Sequence, residues 1–342
     1  MKRAWAAAIA ALVALAIGLG AAASSGSGSK LLVAYVTGSA GSAPSVWLAT
    51  ANGTGAHRLG PGSQPLLAPN GSLVAASDPT GLLLYSASGG APRRYFEHTD
   101  ATAVATAFSA DSRYIAVVLT STNPASASSS GLAVIDTSTL ASRIIARGQI
   151  YGASFAPDNW RIAYASARSA ALRARVDVHV IDADGSQAAQ ITHDGRSLNP
   201  VWGQPGIAFD RERLRADAEP AYQIWLMASD GSAARRLTRL AIPPLREGLV
   251  PISFSDAGST LLAEYEGQDT SSAWILTLSS GVSTSLGADL VGAGLSRAGG
   301  RALVDGGGFL NAPNQGVVES VPLGGGRPRI LVAHGSEPSW NA

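Results

Sequence analysis

A hairpin that recurs along the chain constrains the fold more than any other feature. Its clearest copy is VHVIDADGSQAAQIT from Val178. A β-branched run ends at Asp184–Gly185, residue types that accept the positive φ of a tight turn, and a short second run follows. Related stretches begin at Val46 (VWLATANGTGAHRL), Leu82 (LLLYSASGGAPRRYF), Leu132 (LAVIDTSTLASRII), Ile224 (IWLMASDGSAARRLT), Trp274 (WILTLSSGVSTSL) and Val317 (VVESVPLGGGRPRILV). Successive starts lie roughly 40–50 residues apart, the period of units that bury their faces only against copies of themselves.

A second hairpin alternates with the first. Its copies include PLLAPNGSLVAAS from Pro65, TAFSADSRYIAVVL from Thr106, ASFAPDNWRIAYAS from Ala153, PVWGQPGIAFD from Pro200, PISFSDAGSTLLAEY from Pro251 and AGLSRAGGRALVDG from Ala293. Together the hairpins predict four short antiparallel strands per repeat, and so an all-β chain.

FAPDNWRIAYAS, VHVIDADG and RRLT (Arg235–Thr238) resemble the TolB-type β-propeller repeat. The resemblance covers nearly everything from Lys30 to Ala342 and implies one four-stranded blade per repeat. In that strand order six blades run in series from about Gln64 to Val332. An inner-strand copy, Glu337–Ala342, is left over with three N-terminal strands, Leu31–Val36, Val46–Ala51 and His57–Leu59. One plus three makes a seventh blade that joins both chain ends and removes exposed sheet edges. The expected fold is therefore a seven-bladed β-propeller, with six blades as the alternative if Leu290–Val332 is irregular. TolB proper carries an α/β domain before its propeller. No such domain is expected between Ser29 and the first hairpin, so the partners of TolB are not carried over.

The N-terminus points to export. Lys2 and Arg3 precede an uncharged apolar run, Ala4–Leu19, and Ala21 and Ala23 form a small-residue pattern before Ser24. Residues 1–23 read as a signal peptide or an uncleaved N-terminal anchor, residues 24–29 as a Ser/Gly linker, and residues 30–342 as the propeller. Either reading places the chain outside the cytoplasm, with residues 4–19 as a possible membrane tether. There are no cysteines, which excludes disulfides, thiolate metal sites and a lipidated cysteine. A net charge of +1 argues against a nucleic-acid partner.

The turns divide between two edges. Those inside the hairpins are short. The connections between hairpins and between repeats are long: Thr120–Gly131, Arg168–Arg175, Arg211–Tyr222, Arg239–Val250 and Gly306–Gln315. Binding residues concentrate on such loops, so the loop-rich edge is the expected binding face. Three of the five histidines fall there at one repeat position, each with an acid just after it: His98 with Asp100, His193 with Asp194, and His334 with Glu337. These six residues are the candidate ligand-contacting set. Some TolB-like propellers are polysaccharide lyases that hold a metal with such histidines. The three lie in non-neighbouring repeats, however, while metal ligands must approach within about 2.0–2.6 Å. No metal ligand, catalytic residue or cofactor is assigned.

Trp47, Trp225 and Trp274 recur in third strands, and Trp202 and Trp340 in inner strands, as packing between blades requires. Arg93–Arg94 and Arg235–Arg236 read as edge protection, and Arg211–Asp217 as a solvated loop. Asp111, Asp158 and Asp256 read as turn residues that bond nearby backbone. No G-x-S-x-G and no G-x-x-x-x-G-K-[ST] occurs, which argues against a serine-hydrolase elbow and a phosphate loop. The expected function is a non-enzymatic, monomeric binding or scaffolding module of the cell envelope. It takes a protein, peptide or glycan at the loop-rich edge. The alternatives are a metal-assisted polysaccharide lyase, or another carbohydrate-active enzyme, at the channel mouth, and the accessory propeller of a peptidase.

Overall fold

The computed structural model describes residues 31–38, 43–97, 100–123, 129–167, 174–214, 220–244, 246–267, 270–306 and 316–341. The leader, the linker, His98 and much of the long connections (residues 124–128, 168–173, 215–219, 245 and 307–315) lie outside the described residues. Among those described there is no α-helix.

The chain opens with β1 (Leu32–Thr37), β2 (Ser45–Thr50) and β3 (His57–Pro61). Next come β4 (Ser63–Leu67), β5 (Leu73–Asp78), β6 (Gly81–Ser86) and β7 (Arg93–Tyr95), then β8 (Ala101–Phe108), β9 (Tyr114–Ser121), β10 (Gly131–Asp136) and β11 (Ser142–Arg147). The middle holds β12 (Gln149–Phe155), β13 (Arg161–Ala167), β14 (Val176–Asp182) and β15 (Ala189–Gln190), followed by β16 (Ser197–Gly203), β17 (Gly206–Leu214), β18 (Pro220–Met227) and β19 (Arg235–Arg236). The chain closes with β20 (Arg246–Phe254), β21 (Thr260–Gly267), β22 (Thr270–Thr277), β23 (Val282–Ala288), β24 (Leu290–Leu295), β25 (Arg301–Gly306), β26 (Val317–Pro322), β27 (Arg329–Val332) and β28 (Ser336–Trp340).

Consecutive strands pair antiparallel in sets of four, from β4–β7 to β24–β27. The sets β16–β19 and β20–β23 are joined by one parallel bridge, Tyr222 with Gly248. C-terminal β28 pairs β1, so the order β28-β1-β2-β3 brings both ends of the described chain into one sheet. Innermost strands touch in sequence: β4 meets β8, β8 meets β12, and so on to β24, which meets β28, which in turn meets β4.

This arrangement explains the burial pattern. Sheets packed on both faces need strands that are apolar on both faces. Accordingly β9 and β10 run buried almost end to end, while fourth strands such as β11 are mostly exposed. Each hydrophobic cluster spans two consecutive sets. Leu82 and Leu84 meet Ile115 and Val117, and Val33 and Tyr35 meet Leu303 and Val318 across the two ends of the chain. Fully buried alanines on second and third strands, among them Ala75, Ala116, Ala163 and Ala208, let the sheets approach closely.

Turn chemistry follows the expected pattern. Asp111 Oδ1 accepts the Arg113 N–H at 3.0 Å, and Asp158 Oδ1 accepts the Trp160 N–H at 2.9 Å. Asp256 departs from this pattern: its backbone N–H, not its carboxylate, bonds the Arg297 carbonyl of the next set at 3.1 Å. Gly231 has φ 84°, and a Cβ there would stand 2.3 Å from the Ile191 carbonyl oxygen, so this hairpin turn requires glycine.

Two expectations about the long connections are corrected. Arg246–Val250, read as the end of a long connection, begin β20, with Arg246 opposite Gly267 and Val250 opposite Glu264. Arg211–Arg213 and Ala221–Tyr222 are not loop. They extend the β17–β18 hairpin, with Arg211 opposite Gln223, Glu212 opposite Tyr222 and Arg213 opposite Ala221. The mixed charges that suggested a solvated run alternate with the strand period, and so they sort onto opposite faces.

Candidate functional site

The cluster between β12–β15 and β16–β19 is built from Val176, Val178, Phe209 and Trp225, among others. Towards the loop-bearing edge this apolar wedge opens into a cleft of about 550 Å³. Arg175, Arg196, Arg211, Arg213 and Arg236 line it, together with Trp225. Asp194 supplies a carboxylate to its wall; Glu212 also borders it, but strand alternation puts its side chain on the Asp210 face of β17.

Arg211 anchors the cleft. Phe209 and Trp225 are cross-strand partners, and the Arg211 guanidinium lies over both rings, 4.2 Å from the Trp225 centroid and 5.2 Å from that of Phe209. Such stacking holds a planar cation without using all its donors. Asp194 Oδ2 sits 2.7 Å from Arg211 Nε. The same carboxylate accepts the Arg196 N–H at 2.9 Å and the Ser197 hydroxyl at 2.9 Å, which ties the β15–β16 connection to β17.

The wall on the β14 side is set by a buried polar clasp. Asp177 Oδ1 accepts the Gly195 N–H at 2.9 Å and the Thr192 hydroxyl at 3.1 Å, and Thr192 Oγ1 accepts the Val178 N–H at 2.8 Å. The next set repeats it: Gln223 Oε1 accepts the Thr238 hydroxyl at 2.8 Å, and Thr238 Oγ1 accepts the Ile224 N–H at 2.9 Å. Gly195 completes the wall. Its φ is 69°, and a Cβ there would lie 2.6 Å from Arg175 Nε, so only glycine lets Arg175 lie across it. Asp177→Ala would leave the Gly195 N–H and the Thr192 hydroxyl without their acceptor. It is expected to cost about 1–3 kcal/mol in urea unfolding, with a smaller loss for Asp177→Asn, which keeps an acceptor. Equal losses for both variants would assign the effect to packing instead.

The opposite face of β17 carries acid. Asp210 is fully buried, and no well-formed hydrogen bond reaches either carboxyl oxygen, although the Asn199 amide lies close by. Burial pushes its pKa up to about 7, the Glu266 and Glu212 charges add to this, and the neighbouring Asn199 amide opposes it only in part. Asn199 has φ 45° and sits at a bulge in innermost strand β16. Glu337, φ 50°, has a similar place in β28, where β28 meets β1 at a bulge. Bulges of this kind re-aim side chains next to functional sites.

Of the six expected site residues, Asp194 lines the cleft and His193 borders it, its carbonyl accepting from Arg175 Nη2 at 3.2 Å. Glu337 belongs elsewhere: its N–H donates to Asp305 Oδ2 at 2.8 Å, and its carboxylate accepts the Gln64 N–H at 2.5 Å. Asp100 and His334 are exposed. Among the described residues no three His, Asp or Glu side chains gather as a cation site. The five arginines were not singled out as ligand contacts. The usable signal was the alternation Phe209-Asp210-Arg211-Glu212-Arg213, which fits one sign of charge per strand face.

A second cavity, about 800 Å³, runs along the innermost strands past Phe108, Phe155, Trp202, Phe254 and Trp340. These aromatics recur at one position per set, and Trp202 and Phe155 are buried in the inter-sheet clusters, as packing residues are.

The fold has known counterparts. TolB from Acinetobacter baumannii aligns with a TM-score of 0.58 at 15% identity, over 91% of this chain and 66% of that one. An oligogalacturonate lyase solved in complex with manganese gives 0.60 at 15% identity, over 89% of this chain and 84% of that one. A prolyl endopeptidase gives 0.61 at 11% identity, over 90% of this chain and 50% of that one. At these identities the likeness shows the fold alone. The chain has a TolB-like β-propeller fold, one that carries binding proteins and enzymes alike. No protein-family model and no curated protein matches the sequence.

Proposed function

We propose that this chain is an exported, monomeric, seven-bladed propeller that binds a protein, peptide or glycan at its loop-bearing edge and catalyses no reaction. The ring of touching innermost strands supports the blade count, since each four-strand set then forms one blade. Export and tethering rest on the N-terminal pattern of Lys2, Arg3 and Ala4–Leu19. The cleft beside Asp194 carries the binding reading. It lies on the expected edge, its size falls within the roughly 300–1,000 Å³ of small-ligand sites, and β17, β18 and β19 supply part of its wall.

The test compares the two edges. A photocrosslinking residue replaces exposed His193 on the loop-bearing edge or exposed Ser279 in the β22–β23 turn on the other. Each protein is then exposed to an envelope fraction, with unlabelled protein as competitor. Competable capture from position 193 and none from 279 is the expected result. Equal capture, or capture from 279 alone, overturns the reading.

A further inference from the structure

The cationic cleft carries an inference about ligand chemistry, and it rests on the reading of the loop-bearing edge as the binding face. Five of the chain's 25 basic side chains meet in one cleft, although the net charge of the whole protein is only +1. Among the described residues, Arg211 has a carboxylate partner in Asp194. Arg175 and Arg236 donate to backbone carbonyls alone, those of His193 at 3.2 Å and Thr238 at 2.6 Å. No carboxylate pairs with Arg175, Arg196, Arg213 or Arg236 among the described residues. Glu212, whose side chain lies on the opposite face of β17, forms no ion pair among the described residues. Like charges lining one cleft repel one another, and that cost is offset when an anion sits between them.

The cleft is also built rather than accidental. Gly195 makes room for the Arg175 side chain, and Trp225 and Asp194 fix Arg211. The backbone carbonyls noted above orient Arg175 and Arg236. Guanidinium forks match the paired oxygens of carboxylate and phosphate groups. Four guanidiniums without carboxylate partners outnumber what one such group can engage. We infer that the cleft between β12–β15 and β16–β19 binds a compact oligoanion, a small ligand or ligand terminus bearing two or more carboxylate or phosphate groups.

Titration calorimetry on the full chain tests this. Tripolyphosphate and citrate serve as separate probes, and maltotriose as the uncharged control. One oligoanion is expected to bind saturably and more weakly at high salt, and maltotriose not at all. Preference for tripolyphosphate assigns phosphate chemistry; preference for citrate assigns carboxylate. The double variant Arg196→Ala/Arg213→Ala is expected to weaken binding about tenfold or more. Arg327→Ala/Arg329→Ala, on an exposed turn and outer strand, should leave binding and melting temperature unchanged. Three outcomes overturn the inference: neither oligoanion binds, the cleft variant binds like wild type, or both double variants lose affinity equally. If crosslinking from position 193 succeeds while both oligoanions fail, the binding face stands and the anionic class falls.

Discussion

Deleting residues 336–342 is expected to abolish the cooperative unfolding transition, or to lower its midpoint by more than about 10 °C. The removed strand, β28, is the innermost strand of its sheet and, among the described residues, pairs only with β1. It carries side chains that satisfy distant backbone: Ser339 Oγ accepts the Leu67 N–H at 3.0 Å, and Asn341 Oδ1 accepts the Leu32 N–H at 2.7 Å. Trp340 packs against the cluster of Val33, Tyr35, Leu303 and Val318. The deletion would unpair the β1 edge, open that cluster to water and leave β4 and β24 without the strand that lies between them. Trp340→Ala alone removes the indole but keeps the ladder, and should cost about 3 kcal/mol. Circular dichroism melts of the two variants and wild type check the ordering. A deletion variant melting with the wild type would mean that the first and last strands are dispensable to one another.

The second large effect concerns pH. An acid whose folded-state pKa is raised binds its proton more tightly in the native state than in the unfolded one. Stability then falls as pH rises from the unfolded pKa to the folded one, and is level above that. For Asp210 the window runs from 3.8 to about 7. Across it the penalty grows to the order of 4 kcal/mol, an upper figure because relaxation around the carboxyl would reduce it. Glu264, raised to about 7 by burial and then by the Glu266 charge, pushes the same way, as do Glu266 and Asp305, both raised mainly by burial. Asp184 and Asp230 act oppositely. Hydrogen bonds from Ser186 and Ser232 hold them below the usual carboxylate range, so their contribution is lost only on acidification. Stability should therefore peak near about pH 4–5 and decline towards pH 8. Asp210→Asn, which cannot ionise, should raise stability by a few kcal/mol at pH 8 and change it little at pH 4. Urea unfolding at both values decides the point. An equal gain at both would show that ionisation of Asp210 is not the cause.

Much of the architecture was legible in the chain. The hairpins fall every 40–50 residues or so because each repeat is one four-strand meander, and its turn residues are local necessities. The pairing of Glu337–Ala342 with the N-terminal strands could be anticipated, since a strand without neighbours must find an edge. The position of Asp194 on the loop-bearing edge followed from the same strand order.

The cleft itself was hidden. Read by composition, the Arg211–Asp217 run is a solvated loop. As a strand, its first residues place arginine on one face and acid on the other, and that face assignment depends on pairing with Gln223 and Ala221 across β18. Which arginines then meet is decided by contact between sets. Arg175 comes from the residue before β14, Arg196 from the β15–β16 connection and Arg236 from β19, and no local pattern couples them. Local sequence determined the strands, the turns and the repeat, because those depend on neighbours a few residues away. The tertiary structure decided which charges share a cleft and which acid is buried without an ion-pair partner. Both depend on the packing of one sheet against the next, which lies beyond the reach of any single repeat.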